Sequence, residues 1–244
     1  MFRRPLLLLA AALAVQGCAA SNRLDEVALD GRRVAVTAAI PPAPRVQAGS
    51  PAESGIDPYD PVGTAVRVGT ASRKRREIRR AQARLDSLVA HVDVADRIAR
   101  QTLAGAARVL TFVPASRPEA ADYTLDLRIG DYALVADSFE GAVYFVLLGE
   151  VRLLDARTGA LLWDAELAER EVLDRSTFGA IFGLPASVGN VVTGRAVAEL
   201  GSDEMAAGLG RLADLVAERI VDRLATDYAR SRDGYRDRQR AEAE

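Results

Sequence analysis

Residues 123–172 fix the kind of fold this chain can make. Tyr123, Leu125, Leu127 and Ile129 alternate with Thr124, Asp126 and Arg128, the two-residue period of a strand with one buried and one solvated face. Two further apolar-rich runs, residues 142–154 and 160–172, flank Asp155-Ala156-Arg157-Thr158-Gly159, and Gly159 supplies the positive φ that a tight hairpin connection commonly needs. The three runs predict an antiparallel meander.

The flanking segments supply the other layer. Residues 32–40, with Val34, Val36 and Ala38 on one face, predict a first strand that Pro41, Pro42 and Pro44 stop. Residues 43–70, rich in Pro, Gly, Ser and Asp, read as a long irregular loop with a short strand at 65–68; loops of that length are uncommon unless functional or disordered. Residues 72–107 are helical in pattern, because Ile78, Ala81, Leu85, Leu88, Val92, Ala95 and Ala99 recur in steps of three and four on one stripe. Asp93 or Asp96 could cap a second helix starting near Val94, which leaves a break near His91 open. Gly105 loosens the helix end, and residues 108–113 predict a second strand closed by Pro114. A last helix over residues 203–228 carries Met205, Leu209, Leu212, Val216, Ile220 and Leu224 on one face, with Ser202 or Asp203 as its cap. The polar residues 229–244 read as a frayed extension of that helix or as disorder. The fold class is therefore α/β (α+β), a four- or five-stranded mostly antiparallel sheet with helices packed on one face and the other face open to a partner. Trp163, Tyr144 and Phe145 are contact or core residues, with core expected for at least two of them.

The amino terminus speaks to location. Arg3 and Arg4 precede an apolar run over residues 6–15, which is shorter than the ~20 apolar residues a spanning helix needs and has the basic start of a secretory signal. The run ends in Val15-Gln16-Gly17-Cys18, which resembles the lipobox of bacterial lipoproteins, and Cys18 is the single cysteine of the chain. That resemblance implies cleavage before Cys18, thioether lipidation of its sulfur and acylation of the new amino terminus. Two or more lipid chains hold a protein stably on a membrane. Ala19, not aspartate, follows the cysteine, which by the same family's sorting rule implies the periplasmic face of the outer membrane. The expected organisation is a signal over 1–17, a flexible lipidated tether over 18–31, one domain over 32–229 interrupted by the loop 43–70 and an apolar insertion over 178–201, and a charged tail over 230–244.

Composition narrows the chemistry. The formal charge of the chain is −2, and loss of Arg3 and Arg4 with the signal leaves −4, so bulk charge argues neither for nucleic acid nor for steering to an acidic partner, and no nucleic-acid partner is expected. Once Cys18 carries lipid no thiol remains for a disulfide. His91 is the one histidine, which removes a zinc site built from nitrogen and sulfur ligands and leaves a serine–histidine triad dependent on a single helix residue. Asp122, Asp126 and Asp131 are scattered carboxylates with no flanking signature of a paired-carboxylate hydrolase. Gly201, Gly208 and Gly210 do not follow a strand and make no dinucleotide fingerprint. No cofactor and no metal are expected.

Two surfaces are candidates for contact. Arg73, Lys74, Arg75, Arg76, Arg79, Arg80 and Arg84 form the strongest charge cluster, read either as a contact for anionic lipid or cell-wall polymer or as a solvated helix face opposite the Ile78-to-Leu88 stripe, diluted by Glu77 and Asp86. Phe178, Ile181, Phe182 and Leu184 lead an uncharged, glycine-broken run that is too short to span as a helix. It reads as a loop covered by the sheet or a partner, or as a membrane contact.

The eleven residues Leu153-Leu154-Asp155-Ala156-Arg157-Thr158-Gly159-Ala160-Leu161-Leu162-Trp163, with Ala121-Asp122-Tyr123 opening a strand, are similar to a pattern shared by a loose group of envelope proteins. That group comprises the curli-channel lipoproteins, the lipoprotein activators of penicillin-binding proteins, the amino-terminal domain of TolB and the auxiliary lipoproteins of lipid-transporting ABC systems. The resemblance covers residues 94–229 better than residues 32–40, and the loop 43–70 and insertion 178–201 depart from it. It implies a non-enzymatic, lipid-anchored periplasmic accessory or scaffold subunit of an envelope assembly or transport system, with a protein partner. The alternatives are an oligomeric outer-membrane secretion-channel-like lipoprotein and a cell-wall hydrolase.

Overall fold

The computed structural model describes residues 22–48, 61–137, 142–174, 197 and 199–243, with side chains described from residue 75 onward in the first helix and not at 48, 137, 142, 174, 237–238 or 241–243. The signal and Cys18, and the apolar residues Phe178, Ile181, Phe182 and Leu184, lie outside them. In chain order the elements are β1 (Arg33–Ala39), β2 (Arg45–Ala48), α1 (Pro61–Val89), α2 (Val94–Leu110), β3 (Val113–Pro114), β4 (Tyr123–Asp137), β5 (Ala142–Asp155), β6 (Leu161–Asp174) and α3 (Ser202–Ala243), with 3-10 turns at Leu24–Glu26 and Pro118–Ala120.

The long strands β4, β5 and β6 form the expected antiparallel meander, and β1, flanked by β3, runs parallel to β4 on its other side. β2 continues along β4 beyond β1, pairing Arg45 with Ala133 where β1 pairs Val34 with Tyr123. Pro41, Pro42 and Pro44 separate the two because a proline has no N–H to give the ladder. The sheet thus has six strands, one of them (β2) inside the stretch read as loop. At the β5–β6 connection Gly159 has φ 71°, and the Asp155 carboxylate accepts from the backbone N–H groups of Arg157 (3.0 Å) and Thr158 (2.7 Å) and from the Thr158 hydroxyl (2.9 Å). Those hydrogen bonds hold the Asp155 carboxyl below its usual range, the Thr158 backbone N–H contributing most.

The helices cover one face. Met205, Leu209, Leu212, Val216, Ile220 and Leu224 of α3 are all buried, as their spacing predicts, and burial of such a side chain contributes about 1.5–3 kcal/mol. They meet Phe145, Leu147, Val151 and Leu153 of β5 and Trp163 and Leu167 of β6. Trp163 and Phe145 are core residues, while Tyr144 stands half-buried on the opposite face beneath the Arg170 guanidinium, 4.8 Å from its ring centre. α3 crosses closest at Gly208, where an added Cβ would collide with Leu173 and lie 3.2 Å from the Phe145 ring.

Five expectations are corrected. Residues 61–70 are helical, so 65–68 is no strand. The helical pattern does break, with Asp93 capping α2 through the Asp96 N–H at 2.9 Å. After the break the buried stripe is re-phased onto Val94, Ile98, Thr102, Ala106 and Leu110, leaving Ala95 and Ala99 at its flank. Residues 108–110 belong to α2, because Leu110 continues that stripe, and β3 keeps only Val113–Pro114. Gly105 does not loosen the helix; it lies within α2 where an added Cβ would stand 3.0 Å from Val221 of α3. Finally, residues 22–29 are packed, with Leu24, Val27 and Leu29 buried in the core. Residues 229–243 continue α3 as helix, the first of the two readings given for them.

Candidate functional site

The sheet face turned away from the helices is the surface on which the fold gathers its polar chemistry. Register sets its rows across β1, β4, β5 and β6. One row runs Thr37, Asp126, Arg152, Asp164, and the next Ala39, Arg128, Glu150, Glu166. Opposite charges therefore face one another at Asp126–Arg152, Arg152–Asp164 and Arg128–Glu150, while Glu150 and Glu166 are like charges across β5 and β6. The Asp126 carboxylate accepts from the Thr37 hydroxyl at 2.9 Å and from Arg128 Nε at 2.7 Å, and Arg152 donates to Glu150 at 2.8 Å.

Beyond these rows the face is mixed. The successive rows run Asp131, Leu148, Ala168; then Arg45, Ala133, Val146, Arg170; then Gln47, Val135, Tyr144, Val172, so Ala133 and Val146 on β4 and β5 lie between arginines on the flanking strands. The change falls at the register shift between Ile129 and Asp131, with Gly130 in the shift and Gly149 opposite. An added Cβ on Gly149 would collide with the Arg128 carbonyl oxygen, whereas one on Gly130 would meet open space. A groove of about 520 Å³ opens at this level, lined by Gly130 and Gly149 with Leu148, Ala168, Arg128 and Glu166. Leu148 is 41% exposed in it. Such an arrangement can seat an apolar side chain between the opposite charges of Arg128 and Glu166.

The sequence-predicted residues sit elsewhere. Arg75, Arg76, Arg79 and Arg80 are exposed on α1, while Ala81 and Leu85 of the same helix are buried, so the described arginines form a solvated face. The side chains of Arg73 and Lys74 lie outside the described residues. Arg84 donates to the Leu200 carbonyl at 2.8 Å, tying α1 to the chain ahead of α3. His91 is exposed in the turn between α1 and α2, its Nδ1 3.1 Å from the Ser87 carbonyl. The carboxylates are spread: Asp122 accepts the Arg33 N–H at 2.8 Å, Asp126 serves the row above, and Asp131 pairs with Arg45 at 2.7 Å. The structure does not bring these three into one cluster, and among the described residues no group of acidic or histidine side chains is arranged to hold a metal ion. Reading the sequence by itself missed Leu148. Its signal was an apolar residue at the solvent parity of β5, next to Gly149.

No protein-family model matches the chain, and no curated protein does. Among solved structures, the chain is similar to a protein of family DUF330 from Xanthomonas campestris (8% identity, 86% of this chain and 90% of that one, TM-score 0.41). It is also similar to the PelC dodecamer from Paraburkholderia phytofirmans (11%, 76% and 86%, TM-score 0.30). A third is a protein from Caulobacter crescentus CB15 provisionally named a lipoprotein (17%, 55% and 84%, TM-score 0.29).

Proposed function

We propose that this chain is a non-enzymatic, lipid-anchored lipoprotein on the periplasmic face of the outer membrane, acting as an accessory or scaffold subunit of an envelope assembly or transport system. The anchor rests on the lipobox-like Val15-Gln16-Gly17-Cys18. The observation that carries the binding role is Leu148, left 41% exposed in a groove on the helix-free face beside Arg128 and Glu166. An isolated exposed leucine needs no explanation, but one set in a groove with charged groups at its rim is the form of a protein contact site. The partner this fits is a polypeptide that presents an apolar side chain flanked by charges of both signs.

The test is Leu148→Arg in the chromosomal copy. Loss of the envelope phenotype with unchanged protein level and membrane fractionation supports the reading; an intact phenotype contradicts it. Single alanine variants of Asp126, Asp131, Asp137 and Asp164 should leave the phenotype standing. Complete loss at one of them in a folded protein would favour a cell-wall hydrolase instead.

A second reading is an oligomeric, secretion-channel-like lipoprotein, favoured by β6. Among the described residues β6 has no neighbour on its outer side, and its fourteen residues present a row of backbone groups that a second copy can extend. Sizing after detergent extraction separates the two, because a monomer cannot form a ring.

A further inference from the structure

The first described residues are fastened to the domain, and this sets where a membrane anchor leaves it. Leu24 is fully buried, with Val27 and Leu29 2% and 1% exposed. The Arg23 N–H donates to the Leu162 carbonyl at 2.8 Å. The Leu29 N–H donates to the Tyr228 hydroxyl, which donates to the Val27 carbonyl, each at 3.4 Å. Only four peptide links join Cys18 to Asn22, and at ~3.3–3.6 Å per residue they reach no farther than about 14 Å in any conformation. A lipidated Cys18 would therefore hold this end of the domain at the headgroup layer; the inference rests on that anchor.

The same end carries what such a layer would contact. The Gly31 N–H donates to the Thr111 carbonyl at 3.1 Å and the Val113 N–H to the Arg32 carbonyl at 2.8 Å, which places the end of α2 and β3 beside the incoming chain. Of the four large apolar side chains exposed among the described residues, Val109 (58%) and Val113 (49%) sit at this end, and Tyr235 (39%) lies two turns past Tyr228 on α3. A cleft of about 510 Å³ between α2 and α3 is lined by Val109, Tyr228, Arg232 and Arg236, with Asp30 and Asp233 also at its wall. Past Tyr228, α3 runs on to Ala243, about 22 Å of helix at 1.5 Å per residue. Residues 229–243 carry Arg230, Arg232, Arg236, Arg238 and Arg240 against Asp233, Asp237 and Glu242, a net charge of +2 from five minus three. So charged a helix is excluded from hydrocarbon, and beside a membrane it is stable lying along the surface, arginines among the headgroups and tyrosine at interfacial depth.

We propose that this end of the domain, comprising Val109, Val113 and the arginine-rich extension of α3 with Tyr235, is a docking surface for the anionic phospholipid headgroups of the membrane that holds Cys18. The short link makes the contact intramolecular in effect, and each arginine near an anionic surface adds roughly fivefold to partition. The helix-free face of the sheet is then left lateral to the membrane and open to the periplasm.

The experiment uses the full lipidated chain in phosphatidylcholine vesicles with and without phosphatidylglycerol. Nitroxides are placed one at a time through Val109→Cys, Tyr235→Cys and, at the opposite end of α3, Asp203→Cys; a thioether-linked Cys18 offers no competing thiol. With phosphatidylglycerol present, labels at 109 and 235 should lose access to an aqueous nickel chelate severalfold relative to 203, and Arg232→Glu with Arg236→Glu should restore that access while the vesicles still float the protein. Buried-tryptophan emission from Trp163 checks that each variant is folded. Protein that floats but leaves 109 and 235 as accessible as 203 overturns the surface and leaves the anchor standing. Protein that fails to float, with no acyl mass on its amino-terminal peptide, overturns the anchor and the surface with it.

Discussion

The indole Nε1–H of Trp163, 1% exposed in β6, donates to Oδ2 of Asp227 on α3 at 3.0 Å. The same carboxylate pairs with Arg223 at 3.4 Å and Arg230 at 3.7 Å, so one acidic side chain both satisfies a buried donor and marks where α3 leaves the sheet. Asp227→Ala should cost about 1–3 kcal/mol, the penalty of a buried donor left without a partner, read from urea unfolding followed by Trp163 fluorescence. Asp227→Asn keeps an acceptor and should recover most of that loss. A cost within about 0.5 kcal/mol, the scale of a neutral surface change, would contradict this role.

Tyr132 poses the opposite problem. Its ring is 2% exposed, and its hydroxyl has no hydrogen-bond partner among the described residues. Burial pushes its pKa up. The unfolded chain then releases the proton first as pH rises past about 10, so stability is full below that value and declines above it. Tyr132→Phe removes the orphaned oxygen and should raise stability by about 1 kcal/mol while flattening the alkaline decline. A destabilised Tyr132→Phe would show that the hydroxyl has a partner.

Gly208 is where α3 comes closest to β5 and β6, with Leu173 and the Phe145 ring against its missing Cβ. Gly208→Val should cost about 1–3 kcal/mol by overpacking and lower the thermal midpoint. Wild-type stability in that variant would mean the helix can slide, and the packing described for α3 would be wrong.

The β5–β6 hairpin should respond to acid. Hydrogen bonds from Thr158 depress the Asp155 carboxyl, with a smaller share from the Arg157 N–H, so its contribution is present above the ordinary carboxylate value of about 3.9 and is lost as pH falls through the depressed folded value. Amide exchange at Thr158 and Gly159 should speed up over that range in the wild type and be fast already at neutral pH in Asp155→Ala. Equal protection in the two proteins would contradict it.

What could be read from the sequence followed from period. The α3 stripe and the β4–β6 meander repeat their spacing over many residues, and both stand in the structure on the predicted faces. Residues 108–110 show where period fails: Val109 and Leu110 are good strand residues, yet Leu110 closes the Val94-to-Ala106 stripe of α2, and packing decided it. Leu24, Val27 and Leu29, set among Asp25 and Glu26, carry no visible pattern; the groups that fasten this segment, the Leu162 carbonyl on Arg23 and the Tyr228 hydroxyl on Val27 and Leu29, lie far along the chain. The groove at Leu148 likewise depends on the register shift at Gly130 falling opposite Leu148 and Gly149, which only the strand pairing reveals. The lipobox-like motif was legible because it is a contiguous chemical signature and needs no fold.

The most direct test is therefore chemical. Membranes from cells making the wild-type protein and Cys18→Ser are fractionated, and the amino-terminal peptide of each is examined by mass spectrometry. The expected result is a wild-type peptide beginning at Cys18 and carrying thioether-linked diacylglycerol with an added acyl chain, and a Cys18→Ser protein released from the outer-membrane fraction. An unacylated Cys18, or a Cys18→Ser protein still firmly held by the membrane, would contradict the anchor on which the whole account turns.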